Sequence, residues 1–168
     1  MLKAGVDIFA SGETIQSMGL DGHRVNTVTH GVQFQVGTFV ILPFELQHDV
    51  PNTGYLLYST ITKEKLVFIT DSCYCKYTFS GINYFLLECN HSYDILDANV
   101  ANGHLPAEMK KRLMRSHMSL ENAKKFLLAN DLSKAQEIWL IHLSDGNSCA
   151  ERFKKEIQEI VGRPVYIA

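Results

Sequence analysis

The hydrophobic pattern of this chain changes character near its midpoint. Up to about residue 90 the apolar residues gather in short runs rich in Val, Ile, Phe, Tyr and Thr, punctuated by Gly, Pro and Asn, which is the texture of strands and turns. The later residues favour helical spacing, with apolar positions three or four apart on otherwise charged stretches. The first run predicts a strand at 6–10 and a helix at 13–18, opened by Ser11-Gly12 and closed near Gly19. Strands follow at 24–29, 33–36 and 38–47, broken by turns at His30-Gly31 and Gly37. Residues 54–60 and 65–70 form a hairpin around Ile61-Thr62-Lys63-Glu64, and 82–88 supplies another buried strand.

Helices are then expected at 92–101, from Pro106 to about Arg115, and from an N-cap at Ser119 to Ala129. After a short strand at 138–142, Ser148 and Glu151 have capping-box spacing ahead of an amphipathic helix carrying Phe153, Ile157, Ile160 and Val161 on one side. Gly162 and Pro164 stop that helix, and Val165-Tyr166-Ile167 closes as a strand. With no internal repeat and no linker, the expectation is one α/β domain (α+β by some schemes) over residues 1–168.

Composition narrows the function. The chain is 46% apolar and 20% charged, an ordinary globular balance. Sixteen basic against eighteen acidic side chains give a net charge of −2, so no global positive field is available to hold a nucleic-acid backbone. The best local patch is Lys110-Lys111-Arg112 with Arg115 and His117, although such a short basic run is more often a solvated helix face. No apolar stretch reaches the roughly 20 residues of a membrane span and no signal peptide is evident, so a cytoplasmic location is expected. Four cysteines do not make a disulfide framework, and Cys73-Tyr74-Cys75 lacks the second pair of a zinc finger.

Candidate chemistry lies at strand ends. Asp71 closes the apolar run Leu66-Val67-Phe68-Ile69-Thr70, where a strand would expel a charge into a cleft; the alternative is a turn cap. His48 follows Phe44-Glu45-Leu46-Gln47 and precedes a turn through Pro51 and Gly54, as a metal ligand or an exposed turn histidine. His142 follows the buried Glu137-Ile138-Trp139-Leu140-Ile141 and opens the loop to the next helix, the place where α/β sheets bind ligands. His117, just before a helix, can give or take a proton near neutral pH, and His91 again follows a strand. His23, His30 and His104 read as surface residues.

Five segments carry a family resemblance in order: His48-Asp49-Val50-Pro51; Phe68-Ile69-Thr70-Asp71; Leu86 to His91; Ser116-His117-Met118-Ser119 with Glu121-Asn122-Ala123; and Ile141-His142-Leu143-Ser144 with Asn147. Together they resemble the metallo-β-lactamase fold superfamily, and within it the phosphodiesterase- and nuclease-like branch that includes the bacterial YycJ or WalJ family. The resemblance implies an αββα sandwich holding two divalent ions, zinc first and manganese or iron as alternatives, with a metal-activated water attacking a phosphodiester. It implies that His48 and His142 are ligands of one ion each, that Asp71 bridges the two, that His117 is the general acid, and that His91 lies beside the site.

The family's His-x-His-x-Asp-His signature has no counterpart here. The resemblance therefore implies a domain that is incomplete at its N-terminal side, the C-terminal two-thirds of the sandwich, with metal binding weak or absent in this chain alone. Two functions follow as expectations. One is a metal-dependent hydrolase, active with an N-terminal complementing segment or as a homo-oligomer; the other is an inactive truncated remnant that serves as a binding or interaction module through an exposed apolar sheet edge. A nucleotide-binding α/β protein is disfavoured, because no Gly-rich phosphate loop follows a strand.

Overall fold

The computed structural model describes residues 4–168. Strand β1 (Ile8–Ser11) pairs in parallel with β2 (Val25–Val28), and α1 (Gly12–Ser17) connects them. The Ser11 side chain caps α1 by accepting from the Thr14 amide at 3.2 Å, so the polar pair that opens the helix in sequence does so in space.

The other seven strands form one sheet in the order of the chain: β3 (Phe34–Val36), β4 (Phe39–Leu46), β5 (Asn52–Ser59), β6 (Lys65–Ile69), β7 (Tyr84–Glu88), β8 (Glu137–Ile141) and β9 (Val165–Ile167). Short turns join β3 through β6, so these neighbours are antiparallel; longer connections join β6 through β9, which run parallel. Helices α2 (Tyr93–Ala101), α3 (Ala107–Ser116) and α4 (Leu120–Ala129) lie between β7 and β8, and α5 (Ala150–Val161) between β8 and β9.

The strand period of two divides the sheet into unlike faces. Phe44, Val67, Ile69, Phe85, Leu87, Ile138, Leu140 and Val165 meet Met118, Leu120, Phe126, Leu127, Phe153 and Ile157 from the helical half, and this is the dry core. At Gly54 the Phe44 ring occupies the place a side chain would take: a Cβ there would lie 2.4 Å from it.

The alternate residues point the other way. Phe34, Ile41, Tyr55, Leu57, Leu66, Phe68 and Leu86, with Phe9 from β1, line a wholly apolar trough of about 440 Å³ that the described residues leave open. Phe9 stacks on Phe34 at 5.2 Å and attaches the β1–β2 pair to one end of it. Besides the edges at β3 and β9, three residues each, the inner strands present every second side chain to a half-buried apolar face.

A second correction concerns α5. The Ser148 and Glu151 capping box does not form; the helix begins after Cys149 without a side-chain cap, because the Ser148 hydroxyl donates to the Ser144 carbonyl at 2.7 Å and tightens the loop after β8 instead. Gly162 closes α5 in the left-handed conformation, φ 62°. No helix is long and apolar enough to cross a membrane.

Candidate metal centre

Parallel pairing brings the carboxyl ends of β6, β7 and β8 to one rim of the sheet. Ile69 sits opposite Leu87 and Glu88 opposite Ile141, so Asp71, Glu88 and His142 emerge side by side although 71 and 142 are far apart in sequence. Strand β4 runs in the same direction as β6, two antiparallel steps away, and delivers His48 to that rim. His117 arrives by another route. The stretch after α3 lies along the stretch after β7, with the Asn90 amide donating to the Met118 carbonyl at 2.8 Å and the Leu120 amide to the His91 carbonyl at 2.7 Å.

One ligating atom from each of Asp71, Glu88, His117 and His142 falls within 4.8 Å of all the others. Glu88 Oε1 is 2.7 Å from His117 Nδ1 and 3.0 Å from His142 Nδ1. Asp71 Oδ1 is 3.2 Å from His142 Nδ1 and 3.6 Å from His117 Nδ1. Donor atoms around a tetrahedral ion bound at about 2.1 Å lie roughly 3.4 Å apart; Asp71 and His142, at 3.2 Å, match that spacing, and a carboxylate with an imidazole suits zinc, manganese or iron, whereas His117 is engaged with Glu88 and is not counted among the donors. The 2.7 Å contact is shorter and is a charge-assisted hydrogen bond between Glu88 and His117.

Burial grades across the group. The Glu88 side chain has no exposed surface and its Oε2 accepts the Ser72 amide at 2.9 Å, whereas Asp71 and His142 are 44% and 43% exposed and form the open mouth. The Glu88 carboxylate holds His117 above the usual imidazole range, against the opposing effect of burial, with Asp71 and Asp49 adding to the rise.

His48 is outside the four-atom group, but its ring meets that of His117 edge-on at 5.5 Å between centroids. Its Nδ1 lies 2.6 Å from Asp49 Oδ1 and accepts the Val50 amide at 3.3 Å. His91 does not join the cluster. Its side chain is fully buried, neither ring nitrogen has a hydrogen-bonding partner among the described residues, and burial, aided by the charge on His117, pushes it down to about 4. The Lys110-Lys111-Arg112 patch is largely neutralised, the three cations pairing with Asp97, Glu108 and Asp49. Cys73 and Cys75 carry free thiols, both raised by burial.

Sequence reasoning gave Glu88 no role, although the signal was present: it terminates the apolar run Tyr84-Phe85-Leu86-Leu87 as Asp71 terminates its own.

No family model and no curated protein matches this chain. Solved structures do. The metallo-β-lactamase fold protein YhfI from Bacillus subtilis superposes with a TM-score of 0.72 at 17% identity, over 96% of this chain and 61% of its own. Igni18, a metallo hydrolase from Ignicoccus hospitalis, gives 0.64 at 13% identity over 100% of this chain and 67% of its own. The short form of human tRNase Z gives 0.53 at 14% identity over 96% and 64%. The fold is thus that of the metallo-β-lactamase proteins, and this chain spans about three-fifths of the length of YhfI.

Proposed function

We propose that this chain carries part of the active centre of a metal-dependent hydrolase of the metallo-β-lactamase superfamily, related to the YycJ/WalJ branch and acting on phosphodiester bonds in the cytoplasm. The observation that carries the reading is the convergence of Asp71, Glu88, His117 and His142 at the carboxyl rim of β6, β7 and β8. Asp71 and His142, with His48 beside them, would hold the ion or ions, zinc before manganese or iron. A bound divalent ion supplies Lewis acidity that polarises the ester and lowers the pKa of water. Glu88 orients His117 and favours its protonated form, and His117 would deliver a proton to the leaving oxygen. His91 supports the rim from beneath, as a buried neutral ring.

The uncovered trough supports a partner. YhfI, Igni18 and tRNase Z each extend well beyond the part superposed here. We infer that a polypeptide segment outside residues 4–168, presenting alternating apolar residues, lies on Phe34, Leu57, Phe68 and Leu86 and completes the ligand set.

The test is metal stoichiometry and hydrolysis of bis(p-nitrophenyl) phosphate, for the chain alone and mixed with any segment encoded upstream. Expected are divalent metal and activity in the mixture, both lost in D71A and H142A, and a rate lowered about 10²–10⁴-fold in H117A with metal retained. Self-association through the trough would assign the covering layer to a second copy. A mixture with neither metal nor activity would leave the binding-module alternative and end the hydrolase reading.

A further inference from the structure

Three non-glycine residues among those described have a left-handed backbone: Lys63 in the β5–β6 turn, Asp71 (φ 52°) and His142 (φ 56°). The last two are the half-exposed donors of the candidate centre. Left-handed geometry is unfavourable for a residue with a Cβ, and persists where its surroundings over-determine it.

In both places the surroundings include an asparagine. Asn52, the first residue of β5, donates through its single amide nitrogen to the Thr70 carbonyl at 2.8 Å and the Asp71 carbonyl at 2.5 Å. Its oxygen accepts the Thr53 amide at 2.8 Å, which fixes which end of the side chain faces Asp71. Asn90, two residues beyond Glu88 and buried, donates through Nδ2 to the His142 carbonyl at 2.9 Å. Its own carbonyl accepts the Ser144 amide at 3.0 Å, and its amide donates to the Met118 carbonyl at 2.8 Å. Asn90 thus joins the His142 loop to the segment that carries His117.

We propose that Asn52 and Asn90 are paired positioning residues, each holding the carbonyl of one left-handed donor so that the Asp71 and His142 side chains are aimed at the rim before any ion arrives. Only a side-chain donor performs this task. Aspartate in either place has the same shape, lacks the N–H, and sets an acceptor against an acceptor. The two devices are independent: Asn52 acts on Asp71 and Asn90 on His142.

The experiment uses the isotope-labelled full chain without metal, reading the Cα and Cβ carbon-13 shifts of Asp71 and His142, which report local φ and ψ. N52D should move Asp71 and leave His142; N90D should move His142 and leave Asp71. Should N90D fail to fold, N90A and N52D carry the same test. Unmoved shifts, or both donors moving together in either variant, overturn the proposal. A second arm measures Co²⁺ affinity and rests on the metal-site reading above. Each variant should bind roughly tenfold more weakly, the factor one net hydrogen bond supplies. V165A, a core variant paired with the amino end of β8 and so at the far end of the sheet from the rim, should bind as the parent does, and an equal loss in V165A overturns the positioning role. This arm uses the chain mixed with the covering segment; absence of Co²⁺ binding by the parent in that mixture counts against the site reading, while the carbon-13 arm still decides the asparagines.

Discussion

Buried imidazoles resist protonation, and His91 offers the cleanest measurement of that cost in this chain. Its side chain has no exposed surface and its ring nitrogens have no partner among the described residues, so its pKa falls from the ordinary 6.5 to about 4. In the folded state the ring stays neutral until about pH 4, whereas in the unfolded state it takes up a proton near 6.5. Between those values the unfolded chain binds more protons, so His91 costs nothing at pH 7 and its cost grows as pH falls from about 6.5, complete near pH 4. At about 1.4 kcal/mol per pH unit the full cost is about 3 kcal/mol. H91F removes the titration without sacrificing a hydrogen bond, at the expense of a pH-independent packing change of about 1 kcal/mol. Urea denaturation at pH 7, 6, 5 and 4 should show the variant gaining about 3 kcal/mol on the parent across the series. Parallel profiles for the two proteins would refute the argument, since His117 and every other titrating group is shared.

Glu88→Gln should lower the His117 pKa, read from its ring protons by NMR titration. The sign for stability is opposite to that of His91: the His117 contribution is present below about 6.5 and is lost as pH rises through the raised folded value, and this decline should flatten in E88Q. Gly54→Ala places a methyl into the Phe44 ring and should cost about 1–3 kcal/mol, measured as a fall in Tm, with F44L in the same chain recovering part of it. Replacing Leu57 and Phe68 together by glutamate should leave the core intact and abolish binding of the covering segment in pull-down and sedimentation experiments.

Strand and helix positions were legible because local signals agreed with tertiary demand. Ser119 caps α4 by accepting the Asn122 amide at 3.1 Å, Pro106 stands at the start of α3, and Gly162 ends α5 as expected. The capping box at 148–151 was misread because the same hydroxyl had a nearer loop carbonyl to satisfy. Asp71 and His142 could be found as polar residues at the ends of apolar runs and His117 as an imidazole just before a helix; their meeting needed the parallel order of β6, β7 and β8 and the return of the chain after α3, which no single run encodes. Glu88 ends its apolar run as Asp71 does, but the two imidazoles that meet it are remote in sequence and appear only in the fold. Asn52 and Asn90 act through backbone geometry, which residue type alone does not specify.

Helices α2 and α3 leave the body of the molecule at His91 and return at His117, and both ends of that excursion are stitched together by the Asn90–Met118 and His91–Leu120 hydrogen bonds. Leu96 is the one buried residue of α2 and Ser116 the one buried residue of α3. The excursion is clipped at its root and again along α2, where Asn99 donates to the Gly146 carbonyl at 2.8 Å and Asp94 pairs with Arg152 of α5. Only the turn from α2 to α3 and the outer face of α3 lie beyond those clips, and there the chain can vary during evolution without moving the rim.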